Sequence, residues 1–110
     1  MTLDEYQKLA QKTAIYPAFG GQSWVYPALG LSGEAGEVAD KLKKVVRDHN
    51  GEMTPEIRDA VKGELGDVLW YVSQLARELG FSLDDIAQQN VKKLADRHDR
   101  GKLSGSGDNR

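Results

Sequence analysis

Apolar side chains recur three to four residues apart along four stretches of the chain, which is the periodicity of an amphipathic α-helix. No stretch alternates apolar and polar residues as a half-buried strand would. The pattern predicts helices over residues 2–14, 27–48, 55–80 and 82–99. Because the connections between them are short, it predicts an all-α fold, a four-helix bundle.

Capping residues support these helix starts. Thr2 followed by Glu5 forms a capping box, in which each residue satisfies a backbone N–H of the other. Thr54 stands before Pro55, and proline is favoured at the first helical position. Ser82 precedes the fourth helix in the same way. Residues 1–100 are therefore predicted to form one helical domain, and residues 101–110 a glycine- and serine-rich basic tail.

A pentapeptide of the form Gly-Glu-x-Gly-acid occurs twice, at residues 33–37 and 63–67. Residues three apart lie on one helix face, so each copy projects two carboxylates in one direction. The four acids are Glu34, Glu37, Glu64 and Asp67. At about 4 Å and an effective dielectric of about 20, two such charges repel by roughly 4 kcal/mol, so the cluster requires a cation.

The ligand types indicate which cation this is. Oxygen ligands alone favour Mg²⁺ or Mn²⁺ over zinc, and the Glu-x-x-His pair of di-iron bundles is absent. His49 and His98 stand at helix ends, where contact with the helix dipole explains them. The glycines of the repeat each cost about 1 kcal/mol in a helix interior relative to alanine. We therefore expect another group to approach these backbones closely.

Composition narrows the partners. The chain has 110 residues, 15 basic and 17 acidic, which argues against a general binder of nucleic acid or membrane surfaces. Residues 90–110 carry six basic and three acidic side chains, so a basic end accompanies the acidic cluster. That combination suits a polyanion that arrives with a divalent metal. No apolar run is long enough to span a bilayer, and the absence of cysteine fits a reducing cytoplasm.

Two further groups of residues carry candidate chemistry. Phe19, Trp24 and Tyr26 lie in an aromatic loop before the second helix, either as part of a small core or as a surface on which a nucleobase stacks. The fourth helix presents a second group at helical spacing, which is either a phosphate-binding face or a solvated charged face: Asn90, Lys93 and Arg97. The tail is predicted to be disordered, unless its glycines form an anion-binding nest of backbone N–H groups.

With these motifs the chain resembles the small MazG-like nucleoside triphosphate pyrophosphohydrolases, an all-α superfamily that includes dimeric dUTPases and phosphoribosyl-ATP pyrophosphohydrolases. The family pattern is Glu-Glu-x-x-Glu, a spacer and Glu-x-x-Asp. Here Glu34 and Glu37 match the later acids of the first block, and Gly33 stands where its first glutamate is often found. Asn90 to Leu94 resembles the family's phosphate-contacting Asn-x-x-Lys-Leu segment, and residues 100–110 resemble the tail of compact members.

The resemblance implies hydrolysis of a nucleoside or deoxynucleoside triphosphate to the monophosphate and pyrophosphate by water attack at the α-phosphorus. The four acids would hold Mg²⁺, with Glu37, supported by Glu34, as the catalytic carboxylate. The resemblance also implies a homodimer or homotetramer, which a thin core would favour. Two alternatives stay open. One is a relative with a dedicated substrate such as phosphoribosyl-ATP or dUTP, and the other is a non-catalytic helical interaction protein with a regulatory cation site.

Overall fold

A computed structural model describes residues 1–110 and consists of four α-helices. The helices are α1 (Leu3–Gln11), α2 (Val25–Asp48), α3 (Pro55–Glu78) and α4 (Leu83–Asp99). The predicted all-α fold is confirmed, since the only strand-like feature is an isolated bridge between Phe19 and Gln22. Three boundaries differ from prediction by two residues or more. α1 ends three residues earlier, α2 begins two residues before Pro27, which lies within its first turn, and α3 ends two residues earlier, at Glu78.

The predicted caps are all formed. The Thr2 Oγ1 atom accepts from the Glu5 N–H at 3.0 Å, and Glu5 Oε2 accepts from the Thr2 N–H at 3.1 Å. Thr54 caps α3 through the Ile57 N–H at 3.3 Å. Local chemistry alone therefore fixes where these helices begin, because an uncapped helix start leaves N–H donors unsatisfied.

The central unit is an antiparallel pair of long helices, α2 and α3. Its direction follows from two contacts: Gly30 meets Tyr71 near the start of α2, and Lys41 meets Glu64 farther along it. Gly30 has a specific purpose here, because a Cβ atom at this position would overlap the ring of Tyr71. The absence of a side chain lets an aromatic ring lie directly on the α2 backbone.

Helices α1 and α4 are attached to this pair differently. α1 packs along α3, whereas α4 packs along α1. The α1–α4 contact is polar at the start of α4: Asp4 Oδ1 accepts from Ser82 Oγ at 3.0 Å, and Gln7 Oε1 accepts from the Leu83 N–H at 3.1 Å. Side chains of α1 therefore satisfy donors that the N-terminus of α4 would otherwise leave open.

The apolar helix faces are only partly covered in a single chain. Eight of 110 residues are buried, and four of these are hydrophobic: Ala10, Val45, Ala76 and Leu83. The Cα radius of gyration is 16.9 Å, against about 13 Å for a compact domain of this length. Large apolar side chains of the predicted stripes are therefore left in solvent, Val46 at 73% and Val91 at 67% exposure among them. No helix combines the length and apolarity needed to cross a membrane.

Within a single chain, no other group approaches the backbones of the repeated glycines. A Cβ atom added at any of the four positions would meet nothing within 4 Å: Gly33, Gly36, Gly63 and Gly66. The close approach occurs instead one turn earlier, at Gly30. The physical reason is the bulk of the Tyr71 ring, which reaches the α2 backbone only at its own level. The next turn of α3 presents the shorter Asp67, which lies opposite Glu34.

This difference predicts opposite outcomes for two glycine substitutions. Gly30→Ala should lower the free energy of unfolding by about 1–3 kcal/mol, because the methyl group forces Tyr71 off the helix. Gly33→Ala is the matched control and should raise it by up to about 1 kcal/mol, because alanine is the better helix former and its Cβ meets open space. Urea denaturation measures both values, and equal effects would contradict the assigned contact.

Candidate functional site

Three of the four predicted acids converge between α2 and α3. Carboxylate oxygens of Glu34, Glu64 and Asp67 all lie within 4.8 Å of one another. Glu34 comes from α2 and the other two from successive turns of α3, so the antiparallel pairing of the helices assembles the group. Glu34 and Glu64 are half-buried, and Asp67 is exposed. The cluster thus has a protected side and a side open to solvent.

The fourth acid, Glu37, is adjacent to this group without being part of it. It lies one turn beyond Glu34 on α2 and its side chain is exposed. Its charge still acts on Glu34, as one of the neighbouring negative charges that raise the pKa of the Glu34 carboxyl. The structure therefore separates a group of three carboxylates from a fourth that stands free at its edge.

The electrostatics of the cluster disfavour its negative charges and favour a cation. Loss of solvation is the largest cause that raises the pKa of Glu34, followed by the charges of Asp67 and Glu64. The one cationic side chain in contact is Lys41, whose Nζ lies 3.4 Å from Glu64 Oε1. A single lysine leaves the group of three acids with a negative excess, so a further cation is favoured there.

The donor set fits a hard divalent cation. At about 2.1 Å per Mg–O bond, adjacent ligand oxygens of an octahedral Mg²⁺ are about 3 Å apart and opposite ones about 4.2 Å, so oxygens already within 4.8 Å of one another would close by up to about 2 Å. All donors are carboxylate oxygens, which Mg²⁺ and Mn²⁺ prefer, and no histidine or cysteine is present in the group. The same residues could hold more than one ion if Glu37 joined them.

The aromatic loop leads directly into this site. Tyr26, at the start of α2, stacks on Tyr16 with ring centroids 5.5 Å apart and on Phe19 at 6.5 Å. Tyr16 anchors the loop, because its hydroxyl donates to Glu78 Oε1 at 2.6 Å. Burial and this carboxylate raise the pKa of Tyr16 to about 12. Trp24, the third predicted residue, is 43% exposed and donates to Gln22.

Two aromatic residues at the same place were missed by the sequence analysis. Trp70 and Tyr71 of α3 stand edge to face, 5.0 Å apart, and Tyr71 lies 6.3 Å from Tyr26. Burial is the main cause that raises the pKa of Tyr71, with contributions from Tyr26 and from the charges of Glu34 and Asp67. The available signal was helical spacing, since Tyr71 follows Asp67 by four residues on one face of α3.

These rings border a pocket of about 170 Å³ that lies next to the acids. Its lining includes Tyr16, Tyr26, Trp70 and Tyr71, together with Thr13, which accepts from the Trp70 indole N–H at 2.9 Å. Flat aromatic faces beside a carboxylate cluster provide a stacking surface within reach of a metal site. The structure therefore brings Tyr26 and Phe19 into an aromatic group next to the acids.

The predicted phosphate-binding residues occupy a different part of the chain. Asn90 and Lys93 line a cleft of about 660 Å³ on α4, and Arg97 is 5% exposed beside it. No hydrogen bond or ion pair links them to the acid cluster, because α4 packs along α1. Lys93 and Arg97 pair instead with the tail residue Asp108. The default expectation of a disordered tail is therefore wrong, since the tail folds onto α4.

The chain is an all-α protein with a cluster of three carboxylates between its two long helices. The sequence comparisons place it further. The MazG nucleotide pyrophosphohydrolase domain matches residues 27–101, and the chain therefore belongs to that family. Members of this family typically depend on a divalent metal. The matched span contains all four acids and the whole of α4. Most of the tail lies beyond it.

A relative supports this assignment over the full length. The chain is 50% identical to the Gene 37 protein of Mycobacterium phage L5, and the alignment covers the whole of both chains. No solved structure gives a significant match. The name of this relative states no activity, so the geometry of the site has to supply the chemical argument.

The acid cluster predicts a metal-dependent gain in stability. Millimolar Mg²⁺ or Mn²⁺ should raise the melting temperature by about 5 °C or more, because a ligand that binds only the folded state stabilises it by mass action. Glu64→Gln should abolish this increment. Glu56→Gln is the control, since Glu56 is an exposed acid in the first turn of α3, and it should keep the full increment. Thermal melts with and without metal decide the outcome, and indifference of the native protein to both ions would contradict the site.

Proposed function

We propose that this chain is a Mg²⁺-dependent nucleoside or deoxynucleoside triphosphate pyrophosphohydrolase, which releases the monophosphate and pyrophosphate. The observation that carries the proposal is the convergence of Glu34, Glu64 and Asp67 within 4.8 Å inside a domain of the MazG family. The aromatic pocket offers a surface for the base of the nucleotide. Glu37, which lies outside the group of three acids, offers a free carboxylate.

The reaction breaks the bond between the α-phosphorus and the oxygen that bridges to the β-phosphorus, while a water oxygen bonds to the α-phosphorus. The departing pyrophosphate keeps the bridging oxygen, and the water loses a proton. A bound Mg²⁺ or Mn²⁺ supplies charge neutralisation for the phosphate oxygens. The chain itself must hold that cation, accept the proton and position the nucleotide.

Glu37 is the group best suited to accept the proton. A carboxylate that ligates a cation has its lone pairs engaged, whereas Glu37 lies outside the group of three and is exposed to solvent. It is one helical turn from Glu34, so a water held at the cluster lies within side-chain reach. Glu34, Glu64 and Asp67 then act as ligands, with Glu34 also bordering the reacting water.

The aromatic group supplies the place for the nucleobase. Stacking on an aromatic ring is worth about 1–3 kcal/mol per base and tolerates different bases. Tyr71 feels the charges of Glu34 and Asp67, Tyr26 lies 6.3 Å from it, and Phe19 stacks on Tyr26 with ring centroids 6.5 Å apart. Phe19 and Trp24, at 51% and 43% exposure, are the members of the proposed base-binding set that are open to solvent. This arrangement accounts for recognition of a base without naming which base, so substrate preference must come from a panel of triphosphates.

A homo-oligomer is part of the proposal, and its support is the exposed apolar surface. One chain leaves long apolar side chains of α2 and α4 uncovered, and its phosphate-binding residues lie apart from its acids. A second copy resolves both facts. It covers the apolar faces, and its own α4 supplies Asn90, Lys93 and Arg97 to the neighbouring acid cluster.

A cytoplasmic location is also part of the proposal, because an enzyme that acts on nucleotide pools works where those pools are.

One experiment separates this proposal from its alternatives. Pyrophosphate release is followed with Mg²⁺ for a panel that includes the common ribo- and deoxyribonucleoside triphosphates, dUTP and phosphoribosyl-ATP. Activity on several common triphosphates supports the proposed function. Activity confined to dUTP or phosphoribosyl-ATP indicates a dedicated relative, and binding of cation without any turnover indicates a non-catalytic protein.

Because the acids have different proposed roles, substitutions at Glu37 and Glu64 should have different effects. Glu37→Gln should lower turnover by about 100-fold or more, because a general base is lost, while the rise in melting temperature with Mg²⁺ persists. Glu64→Gln should lose both turnover and that rise. Glu56→Gln again serves as control and should retain both. If Glu37→Gln keeps near-native turnover, Glu37 is not the base.

The uncovered apolar surface predicts the mass of the protein in solution. Light scattering should give a particle of two or four times the chain mass of 12.1 kDa. The physical reason is that apolar surface removed from water contributes roughly 25 cal/mol per Å². A single species of 12.1 kDa at micromolar concentration would contradict the oligomer and, with it, the supply of Lys93 and Arg97 by a second copy.

A further inference from the structure

The last nine residues form a closed loop against the end of α4. The Lys102 N–H donates to the Arg97 carbonyl at 2.7 Å, which turns the chain back at Gly101. The guanidinium of Arg110 then closes the loop by donating to three backbone carbonyls at 2.7–3.1 Å, those of Lys102, Leu103 and Gly107. Positive φ angles at Gly105 and Gly107 allow the curvature.

The closed loop delivers one carboxylate to the two cations of α4. Asp108 Oδ1 lies 2.9 Å from Lys93 Nζ and 3.2 Å from Arg97 Nη2, and the Asp108 carbonyl also accepts from Arg97. The burial of the partners is unequal. The Arg97 side chain is 6% exposed, whereas that of Asp108 is 77% exposed. The cations are therefore held in place by α4, and the anion sits on their outer, open side.

This geometry is what an oxyanion ligand would use. Lysine as a point charge and arginine as a fork bind carboxylate and phosphate oxygens through the same donors. A largely buried guanidinium also needs an anionic partner at all times, since an unpaired buried charge is costly. Hydrogen bonds from Lys93 and Arg97 hold the pKa of Asp108 below its usual range, which favours the charged carboxylate.

The space beside Asp108 is large enough for the exchange. The cleft of about 660 Å³ runs along α4 and is lined by Asn90, Lys92 and Lys93 as well as by Asp108 itself. A second acid of the lining, Asp96, is paired with Arg100 at 2.9 Å. A phosphate chain that enters it meets the cations from the side that Asp108 now occupies. Loop and ligand cannot bond to the same donors at once.

Building on the proposed function, we propose that the Asp108 carboxylate is an internal substitute for a substrate phosphate group. It occupies Lys93 and Arg97 in the nucleotide-free chain, and a polyphosphate displaces it and releases the tail loop from α4. This reverses the role that the glycine tail was expected to have, because the tail contributes a competing carboxylate instead of phosphate-binding N–H groups.

Competition has a measurable consequence. A ligand that must displace an internal partner binds with an apparent affinity reduced by the fraction of molecules whose site is free. Removal of the competitor should therefore tighten binding of any polyphosphate. If Asp108 instead positioned the two cations for the ligand, its removal would weaken binding. The sign of the change thus separates the two roles.

The test uses inorganic tripolyphosphate as the probe and the full-length chain, without divalent metal, in an isothermal titration. Asp108→Asn should lower the dissociation constant by about three- to tenfold relative to the native protein. Asp108→Glu keeps the carboxylate and should stay within twofold of native. Asp99→Asn is the matched control, since Asp99 is an 83% exposed acid near the same helix end that touches only His98, and it should also stay within twofold.

A second measurement follows the loop directly. Trypsin cleaves after the exposed Lys102, and tripolyphosphate should accelerate this cleavage in the native protein. Asp108→Asn should be cleaved faster even without the probe. Unchanged or weaker binding in Asp108→Asn, protection of Lys102 by the probe, or absence of any tripolyphosphate binding would each overturn the proposal. Neither measurement depends on hydrolysis of a nucleotide. A protein that binds tripolyphosphate as expected but releases no pyrophosphate from nucleotides would therefore refute only the proposed function.

Discussion

The contact between Tyr71 and the backbone of Gly30 sets the distance and register of α2 and α3, and the acid cluster depends on that register. Glu34 lies one turn after Gly30, and Asp67 lies one turn before Tyr71. In an antiparallel pair the next turns along must face each other, so the ring that fixes the first level also brings the carboxylates together at the second. Repulsion between those carboxylates acts against the contact, and Lys41 offsets part of it.

The same contact links the metal site to the aromatic pocket. Tyr71 is a wall of that pocket and carries the influence of Glu34 and Asp67 in its raised pKa. A nucleotide whose base stacked there, as proposed, would have the acids nearby, because Trp70 and Tyr71 of the pocket lie one turn from Asp67 on α3. One helix pairing therefore places both the acid cluster and part of the aromatic pocket, whereas the proposed phosphate-binding residues lie on α4.

What the sequence could predict was whatever short-range periodicity and capping determine. The four helices, the Thr2, Thr54 and Ser82 caps, and the pairing of acids within each helix all depend on residues a few positions apart. Contacts between distant segments were not accessible. The glycine that meets a ring is outside the repeated motif. Trp70 and Tyr71 were not predicted as site residues, because the contact between Trp70 and the loop at Tyr16 joins segments that are distant in sequence. The tail likewise appeared unstructured, because its order comes from Arg110 and its own carbonyls.

Charge distribution explains why these parts can coexist in so small a domain. The acids between α2 and α3 and the cations of α4 each carry an excess that is unfavourable alone, and each has a partial internal partner, Lys41 for the acids and Asp108 for the cations. Each partner is a single charge that faces more than one charge of opposite sign. It therefore reduces the repulsion within its group without neutralising the group. A polyphosphate with its metal would carry both signs and complement both surfaces, so the proposed displacement of the tail carboxylate would not leave Arg97 unpaired.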